Sequence, residues 1–489
     1  MLIILTLLLP LLGGAAMSFI RFPSGKARAI YVEAIVCATS LMVLSLLVTR
    51  TQETLILYHL IDKLPLAFRL DGPACLFAGL VAALWPIASL YAFEYMKHEE
   101  RENSFMAWYT MSYAATLAVA FSANLFTLYV FYECLTLVTL PLVIHKKDAM
   151  SIRAGRKYLT YSITGAAFAF IALVVIFFFS GTTDFTLGGV LTAETAAGHE
   201  TMLLVVFLLA FVGFGTKAAV FPMHAWLPAA SVAPTPVTAL LHAVAVVNTG
   251  AFAVLRVIYY AFGTDFLAGT WAHYAALLLA CVTIVFGSSM AVKEQHLKRR
   301  LAWSTISNLS YMLMGAALMS PAGMVGSLTH MVMHGVTKIT LFYCAGAILV
   351  RTGKEYIQDV RGYGKLMPVT CAAFVVAGMS LVGTPPLSGF VSKFNLLTAA
   401  GSAGAIGVVA IAALIISAIL TAIYLFTVIG PMYFRPLNAD MAHLKDFNRD
   451  PNWMMLLPFG LLIAAVIGLG LWGGPLVSFL KDVATGVTF

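Results

Sequence analysis

The sequence predicts an all-α polytopic membrane protein. Of its 489 residues, 61% are hydrophobic and only 10% are charged, whereas a soluble domain is about a quarter charged. Apolar runs of about twenty residues recur along the whole chain, and a helix of that length spans about 30 Å of hydrocarbon. A membrane β-barrel would instead alternate apolar and polar residues over segments of about ten, and the sequence has no such alternation.

About fourteen transmembrane helices, called spans 1 to 14, are predicted from these runs. They cover residues 2–20, 29–48, 73–93, 105–121, 124–144, 157–180, 201–230, 235–261, 271–291, 301–319, 322–350, 368–399, 403–433 and 453–478. An amphipathic connector at 49–70 is a candidate hairpin. The first run has no basic segment before it and no cleavage site, so we interpret it as a span and not as a signal peptide.

The distribution of Lys and Arg sets the expected orientation. Of the 29 such residues, 21 fall in loops after odd-numbered spans, Arg300 and Lys445 among them, 5 fall on the other side, including Arg256, and 3 lie within spans. Because basic loops stay in the cytoplasm, we expect a multi-pass protein of the cytoplasmic (inner) membrane with both termini outside. The net charge of +8 therefore reflects topology and does not indicate a nucleic-acid partner.

Two predicted spans carry a break beside a lysine. In span 7, Lys217 precedes Pro222, and in span 12, Lys393 follows Pro385 and Pro386. Such breaks must face protein or water, and in transporters they mark ion sites near the midplane. Since the two spans are five apart, the second unit should be inverted relative to the first. The expected divisions are 1–104 (spans 1–3), 105–261 (first repeat, spans 4–8), 262–433 (second repeat, spans 9–13) and 434–489 (loop and span 14).

Glu133 lies in the middle of span 5, within LYVFYECLTLVTL. Alone it could be a neutral glutamate bonded to a neighbour, but Lys217 in the same half favours an ion pair. A lysine parted from its carboxylate inside a membrane favours its neutral form and releases a proton. A pair that can be made and broken is therefore a proton switch.

Span 11 places His330, His334 and Lys338 at steps of four, on one face of a helix. A polar seam against neighbouring helices is one alternative. A haem site fits poorly, because its axial ligands normally come from separate helices. A row of titratable groups fits a proton wire, and His242 in span 8 is expected between Lys217 and this row.

The remaining candidate residues have simpler interpretations. Lys393 is expected to lie deep, beside its break, and not to snorkel at a helix end. His224 is expected to bond carbonyls freed by the break in span 7, and the run from His296 to Arg300 to be an ordinary cytoplasmic cap. The six cysteines are scattered singly without a C-x-x-C, so neither an iron–sulfur cluster nor a zinc site is predicted in this chain.

Four stretches together resemble one known family. They are KAAVFPMHAWLPAASVAPTPVTALLHA, HLKRRLAWSTISNLSYML, HMVMHGVTKITLFYCAGAI and LVGTPPLSGFVSKFNLL. They are similar to the antiporter-like, proton-conducting membrane subunits of the complex I superfamily. That family also includes the large subunits of Mrp antiporters and the membrane subunits of energy-converting hydrogenases, and the resemblance covers roughly residues 60–430.

The resemblance implies fourteen helices with inverted five-helix repeats and a central hydrophilic axis. The axis positions match Glu133, Lys217, His242, His334, Lys338 and Lys393. It also implies that the chain translocates protons or sodium, in a complex with other membrane subunits and a soluble redox arm. Iron–sulfur clusters, with a nickel–iron centre or a flavin, are expected in those partners and no cofactor or metal in this chain. The alternatives are the large subunit of an Mrp-type cation/proton antiporter and, as a third hypothesis, a solute transporter.

Overall fold

The computed structural model describes residues 1–50, 53–61, 63–437 and 449–486, so Lys445 lies outside the described residues. The described chain is mostly helical. Its helices are α1 Leu2–Ala16, α2 Gly25–Thr49, α3 Gly72–Met96, α4 Glu102–Ala120, α5 Leu125–Val143, α6 Ala149–Ser180, α7 Ala193–Ala196, α8 Glu200–Gly215, α9 Trp226–Ala230, α10 Thr235–Ala243, α11 Val246–Arg256, α12 Thr264–Leu267, α13 Trp271–Lys293, α14 Leu297–Ala317, α15 Pro321–Thr352, α16 Tyr363–Leu366, α17 Pro368–Val382, α18 Ser388–Gly401, α19 Gly404–Phe434, α20 Trp453–Leu471 and α21 Gly474–Thr485.

The connector between α2 and α3 holds the two strands that the structure describes. Strands β1 (Leu55–Ile61) and β2 (Leu64–Phe68) pair antiparallel, with Leu55 opposite Phe68. The candidate hairpin is therefore present. A π-helical turn, Val257–Phe262, continues directly from α11.

The fold is that of a polytopic helical membrane protein. Nine helical segments of the described chain are long and apolar enough to cross a bilayer. They are Gly25–Thr49, Gly72–Met96, Leu125–Val143, Ala149–Ser180, Thr235–Phe262, Trp271–Lys293, Pro321–Thr352, Gly404–Phe434 and Trp453–Leu471. The apolar helices α1, α8 and α17 are shorter.

Polar residues fix the start of several long helices, because the first N–H groups of a helix lack partners within it. The side chains of Ser24, Asp71 and Asn124 accept hydrogen bonds from the backbone N–H groups of Ala27, Ala74 and Thr127, at 3.1, 3.1 and 2.7 Å. These caps begin α2, α3 and α5. They set the register of the helices that present the site residues.

Helix α15 lies at the centre of the molecule. It packs against α3, α10, α14, α17, α18, α20 and α21, and residues 323–348 are all buried. The face that carries the predicted histidine and lysine row is therefore enclosed by protein along its length.

Two predicted spans are discontinuous where we expected continuous helices. Span 8 breaks between α10 and α11, where Ala245 N–H donates to Leu240 O at 2.9 Å, five residues back. The sequence there, HAVAVVN, holds no proline or glycine that could have signalled the break. The last span likewise splits between α20 and α21, at Trp472 and Gly473.

Candidate functional site

The helical break in span 7 begins after α8, and it places a lysine in the protein interior. Lys217 lies two residues past the last residue of α8 and is fully buried. The carbonyl of Thr216, next to it, accepts a hydrogen bond from Trp226 Nε1 at 2.8 Å. Gly250 of α11 lies directly behind, where a Cβ would fall 2.8 Å from the carbonyl carbon of Lys217. The break is thus packed against neighbouring helices, as lipid could not satisfy it.

Lys217 faces the carboxylate predicted to pair with it. Its Nζ is 3.9 Å from Glu133 Oε1, and it donates a hydrogen bond to the Tyr132 carbonyl. The ammonium also lies 3.5 Å from the centre of the Tyr132 ring. Glu133 Oε1 has no hydrogen-bond partner among the described residues. The pair is therefore a loose electrostatic contact and not a closed hydrogen-bonded bridge.

The second break, in span 8, places His242 against the central helix. His242 ends the last turn of α10, is fully buried, and has its ring centre 4.9 Å from that of Phe342 on α15. The Ala243 carbonyl, next to the break, accepts from Asn248 Nδ2 at 2.9 Å. A Cβ on Gly335 of α15 would lie 3.1 Å from that same carbonyl. The unwound turn therefore sits beside the residue that follows His334.

Lys338 and His334 lie on the buried face of α15. Lys338 Nζ donates to Leu301 O at 3.0 Å and to Ser304 Oγ, both on α14. Both ring nitrogens of His334, like both of His242, lack a hydrogen-bond partner in the described part of the chain. Unpaired buried donors and acceptors are costly. Ordered water is their natural partner.

The third group lies at the other end of the row. His330 Nδ1 is 3.0 Å from Ser392 Oγ on α18, and its ring centre is 6.0 Å from that of His334. Lys393, next to Ser392, is buried and donates to Leu381 O and Val382 O at 2.8 and 2.9 Å. Those carbonyls belong to the last turn of α17, where the helix dipole favours a cation.

A small cavity joins these groups. It is lined by His330, His334, Thr337, Ser392 and Lys393 together with Asn308, Met333, Ser380, Leu381 and Gly389. It offers about 10 Å³ to the centres of water molecules, close to the room that one water needs. One water there could bridge the histidines to Lys393.

The structure thus brings the six predicted axis residues into three groups. Glu133 meets Lys217, His242 lies by His334 and Lys338, and His330 joins Lys393 through Ser392. Within the described chain, neither a hydrogen bond nor an ion pair connects Lys217 to His242. A proton could therefore pass from the first group to the second only through water or after a side-chain movement.

The supporting residues lie at the two interruptions. Pro222 falls between α8 and α9, and Pro385 and Pro386 fall between α17 and α18. The His224 ring lies among aromatic rings, 4.9 Å from Phe286 and 5.7 Å from Trp303 between ring centres. The ring also makes a hydrogen bond with the backbone of Pro222 in the break, which is the kind of contact expected from the sequence.

The basic run before span 10, which we expected to be an ordinary cytoplasmic cap, is buried at two of its residues. Lys298 and Arg300 are 5% and 3% exposed. Arg300 Nη1 donates to Tyr424 O at 2.8 Å and to Thr427 Oγ1 at 2.7 Å. The run therefore anchors α14 to α19, because a buried guanidinium must find acceptors.

Lys298 belongs to a clasp outside the membrane-spanning segments. It lies 3.9 Å from Glu355, whose other oxygen is 3.4 Å from His296 Nε2. The hydrogen bond from His296 and the charge of Lys298 lower the pKa of Glu355 to about 2 against the opposing effect of burial. Lys298 also donates to Ala233 O at 3.4 Å. The clasp thus joins the segment between α9 and α10 to the loop after α15.

Arg256 is not in a loop, as the charge count assumed, but fully buried at the end of α11. Its guanidinium makes an ion pair with Asp71, with Nη1 2.8 Å from Oδ2, and lies 4.7 Å from the centre of the Tyr260 ring. Asp71 was not predicted from the sequence, because it sits at a helix start where a capping residue is ordinary. Without Arg256, the excess of Lys and Arg in the loops after odd-numbered spans becomes larger, so the expected orientation is the same.

A second carboxylate inside the apolar part of the chain was also missed. Glu33 lies eight residues into α2, and Ser89 Oγ of α3 donates to it at 2.5 Å. An ionisable residue within a span is by default a functional candidate. That criterion alone, applied to span 2, would have found Glu33.

Fold and site together define a polytopic membrane protein with interrupted helices and a buried row of lysines and histidines. Residues 122–421 match the family described as NADH:quinone oxidoreductase/Mrp antiporter, TM. The chain belongs to this family, which confirms the resemblance inferred from the sequence.

Three similar proteins illustrate the range of the family. An NADH-quinone oxidoreductase subunit N from Desulforudis audaxviator is 32% identical over 412 residues, 82% of this chain and 80% of that one. A probable K(+)/H(+) antiporter subunit from Rhizobium meliloti is 34% identical over 345 residues, 69% of this chain but only 34% of that one. A chain of the archaeal membrane-bound sulfane sulfur reductase complex superposes with a TM-score of 0.84 at 22% identity, covering 99% of this chain and 97% of that one. This last likeness establishes the shared fold.

Proposed function

We propose that this chain is the proton-translocating subunit of a multi-subunit, redox-driven membrane pump of the complex I or energy-converting hydrogenase type. The alternative is the large subunit of an Mrp-type cation/proton antiporter. The observation that carries the proposal is the loose contact between Lys217 and Glu133, 3.9 Å apart at an interrupted helix. The pair can separate without breaking a hydrogen bond between its members.

The proposed architecture has fourteen spans, both termini outside, and an inverted repeat of spans 4–8 and 9–13. Support comes from the two interruptions, each of which lies within a few residues of a buried lysine, Lys217 or Lys393. The lysine precedes the break in one half and follows it in the other, as inversion requires. The shorter apolar helices α1, α8 and α17, together with α4 and α14, count as spans in this proposal.

In the proposed mechanism, Lys217 and Glu133 form the gated pair. When they separate, the lysine releases its proton toward the interior, because an unpaired charge in a membrane interior is costly. His242, His334 and Lys338 then relay protons along α15. His330 and Ser392 pass them to Lys393, the terminal site of the second half.

Protons suit this path better than sodium. Lysine and histidine side chains can accept and donate protons, but a charged lysine repels a metal cation. Sodium would need several oxygen ligands around it, as hard cations do. Glu133 is the one carboxylate that we assign to the axis.

The redox chemistry would reside in partners. We expect other antiporter-like and small membrane subunits, together with a soluble arm that holds iron–sulfur clusters and a nickel–iron centre or flavin. The names of the relatives support both versions, since one relative belongs to an oxidoreductase and another to an antiporter.

The test of the mechanism is Lys217→Ala in the assembled complex. Coupled ion movement should fall to background while the complex still assembles, and Lys293→Ala, at an exposed end of α13, should match the unaltered complex. Pumping at the normal rate by correctly assembled Lys217→Ala protein contradicts the mechanism.

The choice between the two versions rests on partners. Gentle purification of the tagged chain, followed by mass spectrometry, should recover iron–sulfur or hydrogenase-like subunits if the pump is redox-driven. Recovery of small membrane subunits alone, without metal, would make the chain part of an antiporter.

A further inference from the structure

We propose that Glu33 is a proton-uptake site reached by water from the face on which Lys26 and Arg28 lie. The inference rests on the proposed function, because it assigns an entry point to the same translocated ion. Glu33 is eight residues into α2, about 12 Å along the helix axis at 1.5 Å per residue. Predicted span 2 begins at residue 29, so Glu33 lies four residues, about 6 Å, inside the span, near the end that carries Lys26 and Arg28.

The carboxylate is held between two helices by specific partners. Ser89 Oγ, fully buried on α3, is 2.5 Å from Glu33 Oε2, and Cys37 Sγ is 3.5 Å from Oε1. Ser89 Oγ also lies 2.9 Å from the Pro86 carbonyl. A hydroxyl with both neighbours in reach can donate to a charged Glu33 and accept from a protonated one. The contact therefore suits either protonation state.

A cavity lined in part by charged side chains lies close to this position. It has a volume of about 350 Å³ and is lined by Lys26, Arg28, Ala29, Phe93, Lys97 and Glu102, with Gly25, Met106 and Met454. Ala29 is one turn before Glu33 on α2, and Phe93 is one turn after Ser89 on α3. The cavity thus ends one helical turn from the carboxylate. Water that enters beside the Arg28–Glu102 ion pair must therefore pass about one further helical turn to exchange protons with the carboxylate.

On its inner side, Glu33 is backed by buried hydroxyl groups. The elements packed against α2 are α1, α3 and α4. Helix α1 brings no titratable side chain, α3 brings Ser89, and α4 brings Tyr109 and Tyr113. Tyr113 shares a 2.9 Å hydrogen bond with Ser40 of α2. No basic side chain is hydrogen-bonded or ion-paired to Glu33 among the described residues, so nothing holds it permanently charged.

The tyrosines beside Glu33 also lie near the central helix, α15. Tyr109 lies near Tyr343 of α15 and both are fully buried, although neither hydroxyl has a hydrogen-bond partner among the described residues. Tyr343 lies five residues after Lys338 on that helix. Glu33 and Ser89 thus lie outside both repeats, and Tyr109 of the first repeat lies between them and the helix that carries the proposed relay.

Access is tested by chemical labelling of the whole complex in sealed vesicles of each orientation. A water-soluble carbodiimide with glycine ethyl ester should modify Glu33, read by peptide mass spectrometry, from the face that also labels exposed Glu100, and not from the opposite face. Ala29→Trp, which fills the cavity, should lower Glu33 labelling at least fivefold and leave Glu100 unchanged. Absence of Glu33 labelling from that face, or labelling that Ala29→Trp does not alter, overturns the site.

Function is tested separately with Glu33→Gln in the assembled complex. The initial rate of proton uptake, followed with a pH-sensitive dye, should fall at least fivefold, while Glu33→Asp keeps most of it and Glu100→Gln keeps all. A normal rate in Glu33→Gln overturns the uptake role. If Lys217→Ala instead still pumps while Glu33 labels and Glu33→Gln is slow, the proposed gated pair fails and the uptake site stands.

Discussion

The two interrupted regions neutralise a buried lysine in different ways. Lys217 is set against a carboxylate on α5, 3.9 Å away, and within the described residues its ammonium makes one hydrogen bond, to the Tyr132 carbonyl. Lys393 makes two hydrogen bonds, to the Leu381 and Val382 carbonyls of α17, at 2.8 and 2.9 Å. In the described chain, no carboxylate lies within ion-pair distance of Lys393.

The partner of Lys217 can change its charge, whereas the partners of Lys393 cannot. A carboxylate can itself take up a proton or move away, so its attraction for Lys217 can be turned off. Backbone carbonyls at a helix end are fixed partial charges, so the partners of Lys393 stay the same while protons arrive at it and leave. We therefore expect changes at the first region to be felt more strongly than changes at the second.

Of the variants that compare the two regions, Glu133→Gln should reduce coupled proton movement most. The amide keeps the shape but cannot become an anion, so Lys217 loses the partner that controls it. The rate of coupled proton movement should fall about 100-fold, within the range for positioned acid–base groups. The measurement is dye-monitored acidification in vesicles holding the assembled complex. Glu133→Asp should restore part of the rate, and a Glu133→Gln rate within twofold of the unaltered complex would remove the distinction between the regions.

Gly250→Ala tests whether Lys217 must be held in place. The added Cβ would fall 2.8 Å from the backbone of Lys217, so the lysine must shift. A displacement of about 1 Å can cost up to about 100-fold in a positioned site, and we expect a loss of at least tenfold. Gly460→Ala, where nothing lies within 4 Å of the new Cβ, is the matched control. An active Gly250→Ala complex would mean that the Lys217 position is not critical.

Much of this comparison could be predicted from the sequence. The breaks and their lysines were visible because proline within an apolar run is a strong local signal, and Glu133, His330 and His334 stood out as polar residues inside spans. The second break, beside His242, was not visible. It is held by a slipped hydrogen bond to Leu240 and by Asn248 bonding the Ala243 carbonyl. Both bonds lie within the span itself and need neither proline nor glycine, so the usual sequence signals of a break are missing.

Distances between elements were also beyond sequence reasoning. Periodicity places His330, His334 and Lys338 on one face, but it does not tell that Lys338 turns to Ser304 on α14. Nor does it tell that His330 contacts Ser392 of α18, the residue next to Lys393 in the sequence. Composition misled us for Lys298 and Arg300, because basic residues near a span end are usually solvated and here they are buried.

Lys393→Met should reduce the rate less than the changes in the first region. It removes two hydrogen bonds from a charged donor, each worth about 1.5–3 kcal/mol, but no switchable partner. If about 1.4 kcal/mol of this acts on the rate-limiting step, the loss is about tenfold. Acidification in vesicles measures it, with the exposed Thr398→Ala on the same helix as control. Complete loss in Lys393→Met would make the second region as decisive as the first.

The smallest effect is expected at the clasp that connects the two halves on the loop side. Glu355 has its pKa lowered to about 2 by His296 and Lys298, below the value of about 4.3 of a free glutamate. A lowered pKa means that the ion pair stabilises the fold above about pH 4.3 and that this contribution disappears as the pH falls toward 2. Because the Glu355 side chain is 38% exposed, screening should limit its contribution to under about 1 kcal/mol.

Glu355→Gln should therefore lower the melting temperature of the solubilised protein at pH 7 by about 1 °C. It should also reduce the loss of stability between pH 5 and pH 3 relative to the unaltered chain. Glu194→Gln, at an exposed position, should do neither. If Glu355→Gln instead stopped proton movement while the melting temperature stayed the same, the clasp would be part of the coupling between the halves. A comparison of Lys217 with Lys393 would then also have to consider the contact between Ala233 and Lys298, which joins the two halves of the chain.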